Sequence, residues 1–251
     1  MAYDIHPLSF GEVLDRGFRV LRDNIVLLAG IAAVVFMPFG VLQALGQTSS
    51  RMFGSIANLF ILLAAPVLQA ALTVAIANVY LGKPISIEDA YRSAMAILVP
   101  LLGTYLLLYL FLILGFIFLI IPGIYLMNCW VFAGQVMIIE QRFGMESMRR
   151  SRTLVRGAWW ATFAITLSAG LISEVPTLAL AAIWSFIPFF GPILTAATRS
   201  VTSTYAAIVV VIYYFDRRCR VEDFDLHFLA EQIRAESRAD SAPAAGASTV
   251  A

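Results

Sequence analysis

Between Arg92 and Glu140 the chain runs for 47 residues without one Asp, Glu, Lys or Arg. A helix crossing a bilayer needs about 20 mostly apolar residues, so this run is too long for one crossing and long enough for two. Asn24–Ser50 and Met52–Gly82 are uncharged as well. The whole chain is 61% hydrophobic and only 13% charged, with a mean hydropathy of +0.86. A soluble domain carries about 25% charged residues, so this chain lacks the polar surface that water requires. That excludes a soluble globular enzyme, a disordered chain and a fibrous protein. In hydrocarbon only helices and closed barrels satisfy the backbone. The apolar runs are helix-length and do not alternate, which leaves an all-α polytopic membrane protein.

Six spans follow. The first is Ile25–Leu45 and the second lies near Asn58–Tyr80. The long run divides at Ile121-Pro122-Gly123, where Pro removes a donor and Gly supplies turn geometry, into Val99–Ile120 and Ile124–Ile139. The fifth span is Trp159–Phe186. Ser185–Pro192 is a turn, and the sixth span is Ile193–Phe215. Residues 1–233 are expected to form one membrane domain, and 234–251, rich in Ala, Ser, Gly and Pro, a disordered tail.

Orientation follows from Lys and Arg. Fifteen of the 17 basic residues fall in four segments that a six-span arrangement places on one side: before span 1, between spans 2 and 3, between spans 4 and 5, and after span 6. Only Arg51 and Arg199 fall elsewhere. Both termini are therefore expected in the cytoplasm. The charged residues Asp4, Glu12, Asp15 and Arg16 argue against a cleavable signal peptide. Cys129 and Cys219 make no disulfide framework, and His6 and His227 sit at opposite ends of the chain without metal-ligand spacing. No cofactor or metal is expected, and no nucleic-acid partner.

The segments before spans 1, 3 and 5 repeat a pattern. Each holds a Glu four residues before an Arg: Glu12/Arg16, Glu88/Arg92 and Glu146/Arg150. Thirteen residues after each Glu a span begins, at Ile25, Leu101 or Trp159. Ser9 with Glu12 and Ser86 with Asp89 fit capping boxes. The repeated unit is an amphipathic cytoplasmic helix followed by a helical hairpin, used three times. The first such helix places Phe10, Val13, Leu14, Phe18 and Leu21 on one side. Such helices lie in the membrane interface, where they set topology as a basic collar. Clustered juxtamembrane Arg also attracts anionic headgroups, by about 1 kcal/mol per residue. Arg16, Arg19, Arg92, Arg149, Arg150, Arg152 and Arg156 are the candidate lipid contacts.

Several stretches carry a family resemblance: Pro7–Arg16 (Pro-Leu-Ser-Phe-Gly-Glu-Val-Leu-Asp-Arg), Ile121–Leu126 (Ile-Pro-Gly-Ile-Tyr-Leu), Trp130–Ala133, Glu140, Gly144–Trp160, Tyr213–Arg218 and Glu222–Leu226. In this order and spacing the chain resembles the glycerophosphoryl diester phosphodiesterase membrane-domain family, and is similar to uncharacterised bacterial inner-membrane proteins. The resemblance extends to about Leu229. In some relatives the membrane domain is joined to a catalytic barrel, which uses paired acidic residues and histidines around a metal. A barrel of that kind needs roughly 250 residues, more than are left here, so the resemblance implies a membrane domain without that activity.

Two charges lie inside spans, where charge is rare and is paired or functional. Glu174 is 15 residues beyond Trp159, and Arg199 is 16 residues before Phe215. At 1.5 Å per residue both lie roughly 22–24 Å from the cytoplasmic boundary, on adjacent helices. Three readings follow: a pair that locks the last hairpin, an Arg199 that snorkels to the outer interface, or a charge in a substrate or proton path. Ser173, Thr177, Thr195 and Thr202 make a candidate polar pocket beside them, with Pro176 as a kink candidate. Two functional readings result. The first is a non-enzymatic integral protein of the bacterial inner membrane, a scaffold or accessory factor in envelope or lipid homeostasis, with membrane lipids as partners. The second is a small transporter or permease using the last hairpin.

Overall fold

The computed structural model describes residues 8–48, 50–118 and 120–222. These are helical throughout apart from short connections, with no strand among the described residues. The elements are α1 (Phe10–Asp23), α2 (Ile25–Thr48), α3 (Arg51–Tyr80), α4 (Ile87–Ala96), α5 (Leu98–Phe118), α6 (Ile120–Cys129), α7 (Ala133–Ile139), α8 (Met145–Val155), α9 (Trp159–Trp184) and α10 (Phe190–Glu222). Six helical stretches are long and apolar enough to cross a membrane: α2, α3, α5, α6 with α7 taken together, α9 and α10. The protein is a multi-pass membrane protein. His6, His227, the acidic and aromatic residues from Asp223 to Ile233, and the 234–251 tail lie outside the described residues.

Each of the three segments before spans 1, 3 and 5 is a helix with its Glu in the first turn: Glu12 in α1, Glu88 in α4 and Glu146 in α8. An acidic side chain there offsets the positive end of the helix dipole. Ser9 N–H donates to Glu12 Oε2 at 2.6 Å, and Asp89 N–H donates to Ser86 Oγ at 3.1 Å, so both N-termini are capped as the sequence predicts. A single residue, Asn24 or Ile97, turns α1 into α2 and α4 into α5. The turn from α8 into α9 is longer and uses Gly157 at φ +81°.

The short helices pack on the spans through a narrower face than expected. α1 buries Val13, Gly17, Val20 and Leu21 and packs mainly against α10, while Phe10 and Phe18 stay exposed. The i, i+4, i+7 spacing of Val13, Gly17 and Val20 puts Phe18 off that stripe, while Phe10, in line with Gly17, is the first residue of the helix. α10 is the central helix, packed on α2, α9, α1 and α3. α5 is the most peripheral span, with Leu106, Leu110, Ile113 and Ile117 exposed on its outer side.

Several boundaries differ from those the sequence predicts: the last helix begins at Phe190, inside the expected turn, and continues past Phe215 to Glu222. The second span begins at Arg51, with Ser50 Oγ accepting from Met52 N–H at 3.3 Å. Ile121-Pro122-Gly123 is not a turn but the first turn of α6. Pro122 is its third residue, where a backbone N–H has no helical acceptor to lose. Pro100 in α5 and Pro192 in α10 occupy the same third position. Gly123 has a separate reason to be Gly: a Cβ there would sit 2.6 Å from the Phe116 ring. Finally, the fourth span is not continuous. It breaks at Trp130–Phe132 between α6 and α7.

Candidate functional site

The arginine-rich segments meet at one end of the bundle. Leu8 N–H donates to Asp216 Oδ1 at 2.6 Å, and Arg220 Nη2 donates to Leu8 O at 2.6 Å, joining the start of the described chain to the end of α10. Arg217 Nε donates to Leu154 O at 2.9 Å, tying α8 to the same helix. Arg16 Nη1 donates to Tyr80 Oη at 2.8 Å at the end of α3. The other end holds the α9–α10 turn and the last turns of α2.

α8 organises the basic end, and its helical period divides it into faces. Ser147, Met148, Ser151, Leu154 and Val155 are buried. Arg149, Arg152, Thr153 and Arg156 recur at three- and four-residue spacing on the exposed side. Together with Tyr125 of α6 and Trp159 of α9 they line a cavity of about 540 Å³. No acidic residue lines it. Trp159 stacks between Tyr125, with ring centroids 5.9 Å apart, and Phe163, at 5.4 Å. The cavity thus has a cationic rim and a flat aromatic wall.

The buried face of α8 holds the broken span together. Ser151 Oγ donates to Cys129 O at 2.8 Å and accepts from Phe132 N–H at 3.1 Å. One hydroxyl therefore serves the last carbonyl of α6 and an N–H at the start of α7, groups that a helix end leaves without intrahelical partners. Asn128 Nδ2 adds a bond to Trp159 O at 2.9 Å. Nothing in the apolar pattern marks this break, and Ser151 passes in the sequence for one small residue among arginines.

Beside α8 lies a cluster centred on Glu140, whose side chain is 8% exposed. Arg150 Nε donates to both its oxygens, at 3.0 and 2.8 Å, and Tyr214 Oη donates to Oε1 at 2.7 Å. Arg218 Nε lies 3.8 Å from Glu140 Oε1 and 3.1 Å from Glu222 Oε2. Arg150 also contacts Glu222, and Arg142 lies 3.5 Å from Glu140. Burial acts to raise the Glu140 pKa. The hydrogen bonds from Arg150 and Tyr214 and the charges of Arg150 and Arg218 outweigh it, and the carboxyl is held below its usual range.

The seven candidate arginines therefore divide. Arg149, Arg152 and Arg156 share the cavity. Arg150 turns away to Glu140 and Glu222, because the 100° step per residue puts it on another face of α8. Arg19 pairs with Asp15 at 2.8 Å and Arg92 with Glu88 at 2.5 Å, both on exposed surface. Arg16 is bonded to Tyr80.

At the other end Arg199 Nη2 meets Glu174 Oε2 at 3.4 Å, with the side chains 38% and 51% exposed. The expected polar pocket divides too. Thr177 and Thr202 share a 2.6 Å hydrogen bond between α9 and α10, and Ser173 is buried in the same seam. Only Thr195 joins Arg199 at a cavity, of about 290 Å³, with Gln43 and Gln47 of α2 and Ser185. The reason is the period again: Ser173 and Thr177 are one turn apart on the face that α9 turns to α10. α9 continues through Pro176 without interruption.

Among the described residues no three His, Cys, Asp or Glu side chains cluster as metal ligands. Neither the curated proteins nor the solved structures compared with this chain match it. The family model described as Domain of unknown function (DUF8558) matches residues 90–235, a stretch that holds the cationic cavity, the broken span and the Glu140 cluster. That match covers more than half of the chain, which belongs to this family of unknown function.

Proposed function

We propose that this protein is a scaffold or accessory factor of the bacterial inner membrane, without catalytic chemistry of its own, that acts in envelope or lipid homeostasis by holding anionic lipid headgroups at its basic end. The observation that carries this reading is the cavity rimmed by Arg149, Arg152 and Arg156, with no acidic residue in its lining. Guanidinium forks match the oxygens of a phosphate, and juxtamembrane cations favour anionic lipid. The resemblance to the membrane domain of a phospholipid-related phosphodiesterase family supports the same assignment. The distribution of 15 of 17 basic residues supports cytoplasmic placement of this end and of both termini.

The test is native mass spectrometry of protein purified in mild detergent. Wild type should retain anionic phospholipid, and the triple variant Arg149→Gln, Arg152→Gln, Arg156→Gln should lose it. Equal retention by both would overturn the reading. Orientation is tested by reporter fusions: Arg51 and Phe189 should read as external and Arg152 as cytoplasmic. A cytoplasmic signal at Phe189 would overturn the topology.

A second reading, a small transporter with its polar site in the last hairpin, is favoured by one observation. Arg199 lines a cavity with Gln43, Gln47 and Thr195 rather than facing only Glu174. Cysteines placed at Gln47 and Thr195 should then react with a water-soluble thiol reagent from both sides of the membrane in turn. Labelling from one side alone argues against transport.

A further inference from the structure

The cationic cavity has more specific chemistry than attraction to negative lipid. It presents three guanidinium groups from one helix face, Arg149, Arg152 and Arg156, and beside them the hydroxyl-bearing Thr153. None of the three arginines has an ion-pair partner among the described residues, whereas Arg19, Arg92, Arg150 and Arg218 all do. Three guanidinium groups without an ion-pair partner among the described residues therefore share one cavity. A phosphodiester offers two terminal oxygens and one negative charge. A phosphomonoester offers three terminal oxygens and a charge of about −1.5 to −2 at neutral pH. A monoester thus offers three planar forks one more charged oxygen, and up to one more unit of negative charge, than a diester does.

The aromatic residues that share the cavity add a second requirement. Tyr125, Trp159 and Phe163 form a continuous stack, with interplanar angles of 15° and 6°. The exposed Trp160 sits edge-on to both Trp159 and Phe163. A flat, largely apolar wall of that kind suits an acyl chain, and it holds no acidic residue that would repel the phosphate.

We infer that this cavity binds a phosphomonoester, with its terminal phosphate on Arg149, Arg152 and Arg156 and its apolar part along Tyr125 and Trp159. This rests on the anionic-headgroup reading above and narrows it. The terminal phosphate is shared by a lipid of the phosphatidic acid type, which also has the apolar part, and by soluble sn-glycerol 3-phosphate, which does not.

The test uses the full chain, purified in mild detergent and mixed with phosphatidylcholine vesicles carrying equal mole fractions of phosphatidic acid or phosphatidylglycerol. The retained lipid is read by native mass spectrometry. Phosphatidic acid should be preferred by about tenfold or more, the factor that one added charge-assisted hydrogen bond supplies. The triple Gln variant should lose that preference. Replacing the three arginines by Lys keeps the charge and removes the forks. That variant should retain both lipids with the preference narrowed, and it serves if the Gln variant does not fold. In a competition arm, displacement of phosphatidic acid by sn-glycerol 3-phosphate assigns the site to the soluble phosphomonoester, and failure to displace assigns it to the lipid. If both lipids are held equally and both are lost in the Gln variant, the phosphomonoester inference falls while the anionic-headgroup reading stands. If the Gln variant holds phosphatidic acid as wild type does, both fall.

Discussion

Replacing Ser151 with Ala removes the one hydroxyl that spans the interruption in the fourth transmembrane segment. Ser151 is fully buried, at 0% exposure, and its Oγ bridges Cys129 O at 2.8 Å and Phe132 N–H at 3.1 Å. Alanine leaves a buried carbonyl and a buried N–H without that partner, and adds no bulk to compensate. A buried polar group left unsatisfied costs about 1–3 kcal/mol, while interhelical hydrogen bonds inside membrane proteins average only about 0.6 kcal/mol. Two groups toward the lower end of those bounds give a loss of about 1–3 kcal/mol. The assay is reversible unfolding in mixed micelles followed by tryptophan fluorescence, to which Trp130 within the break contributes. Ser185→Ala is the control. That hydroxyl is exposed and bonds only Ala182 O in its own helix, at 2.7 Å, so its loss should stay within about 0.5 kcal/mol. If Ser151→Ala falls within the same margin, or if the control is as damaging, the bridge does not hold the two half-helices.

Glu140 should make stability fall in acid. Its carboxyl is held below its usual range, so its contribution is complete above the unfolded value of about 4.3 and is lost as pH falls through the lower folded value. The unfolding midpoint should drop below about pH 5, and Glu140→Gln should flatten that dependence while destabilising the protein by about 2–4 kcal/mol at neutral pH. An unchanged acid limb in the variant would show that Glu140 is not responsible. Gly191→Ala should cost about 1–3 kcal/mol in the same assay, because a Cβ there runs into the Trp184 carbonyl at the last turn; Gly170→Ala, with open space around it, should not. Glu174→Gln and Arg199→Gln should each lower stability by roughly 1–3 kcal/mol, and the double variant should recover much of it. Strictly additive losses would mean that the 3.4 Å contact carries no coupling.

How much of this was legible without a structure depends on the range of the interaction concerned. The six spans and the three helices before the odd-numbered spans follow from local pattern. A run without charge long enough to cross hydrocarbon has no alternative but helix, and Glu12, Glu88 and Glu146 mark helix starts by the chemistry of the first turn. The meeting of Glu174 with Arg199 was legible too, because two antiparallel helices joined by a short turn place residues at equal depth side by side. Pro122 was misleading for a local reason. Proline disrupts the interior of a helix but not its first turn, and sequence alone leaves the helix start uncertain by a few residues.

Arg19 and Arg92 are taken by partners four residues away, a local matter, but the choice among the other arginines was made by tertiary structure. Seven looked equivalent as a basic collar, yet Arg150 serves Glu140 and Glu222, Arg16 serves Tyr80, and Arg149, Arg152 and Arg156 are left to a cavity. Partners far along the chain decide this: Glu140 is ten residues from Arg150, and Tyr214 is 74 from Glu140. The break at Trp130–Phe132 belongs to the same class, since its orphaned backbone groups are satisfied by Ser151 from another helix. Composition and period determine which segments must leave water and which face of each helix is apolar, because those depend on a residue and its near neighbours. Which polar group stays free to meet a ligand depends on which others have already been paired, and only the packed bundle decides that.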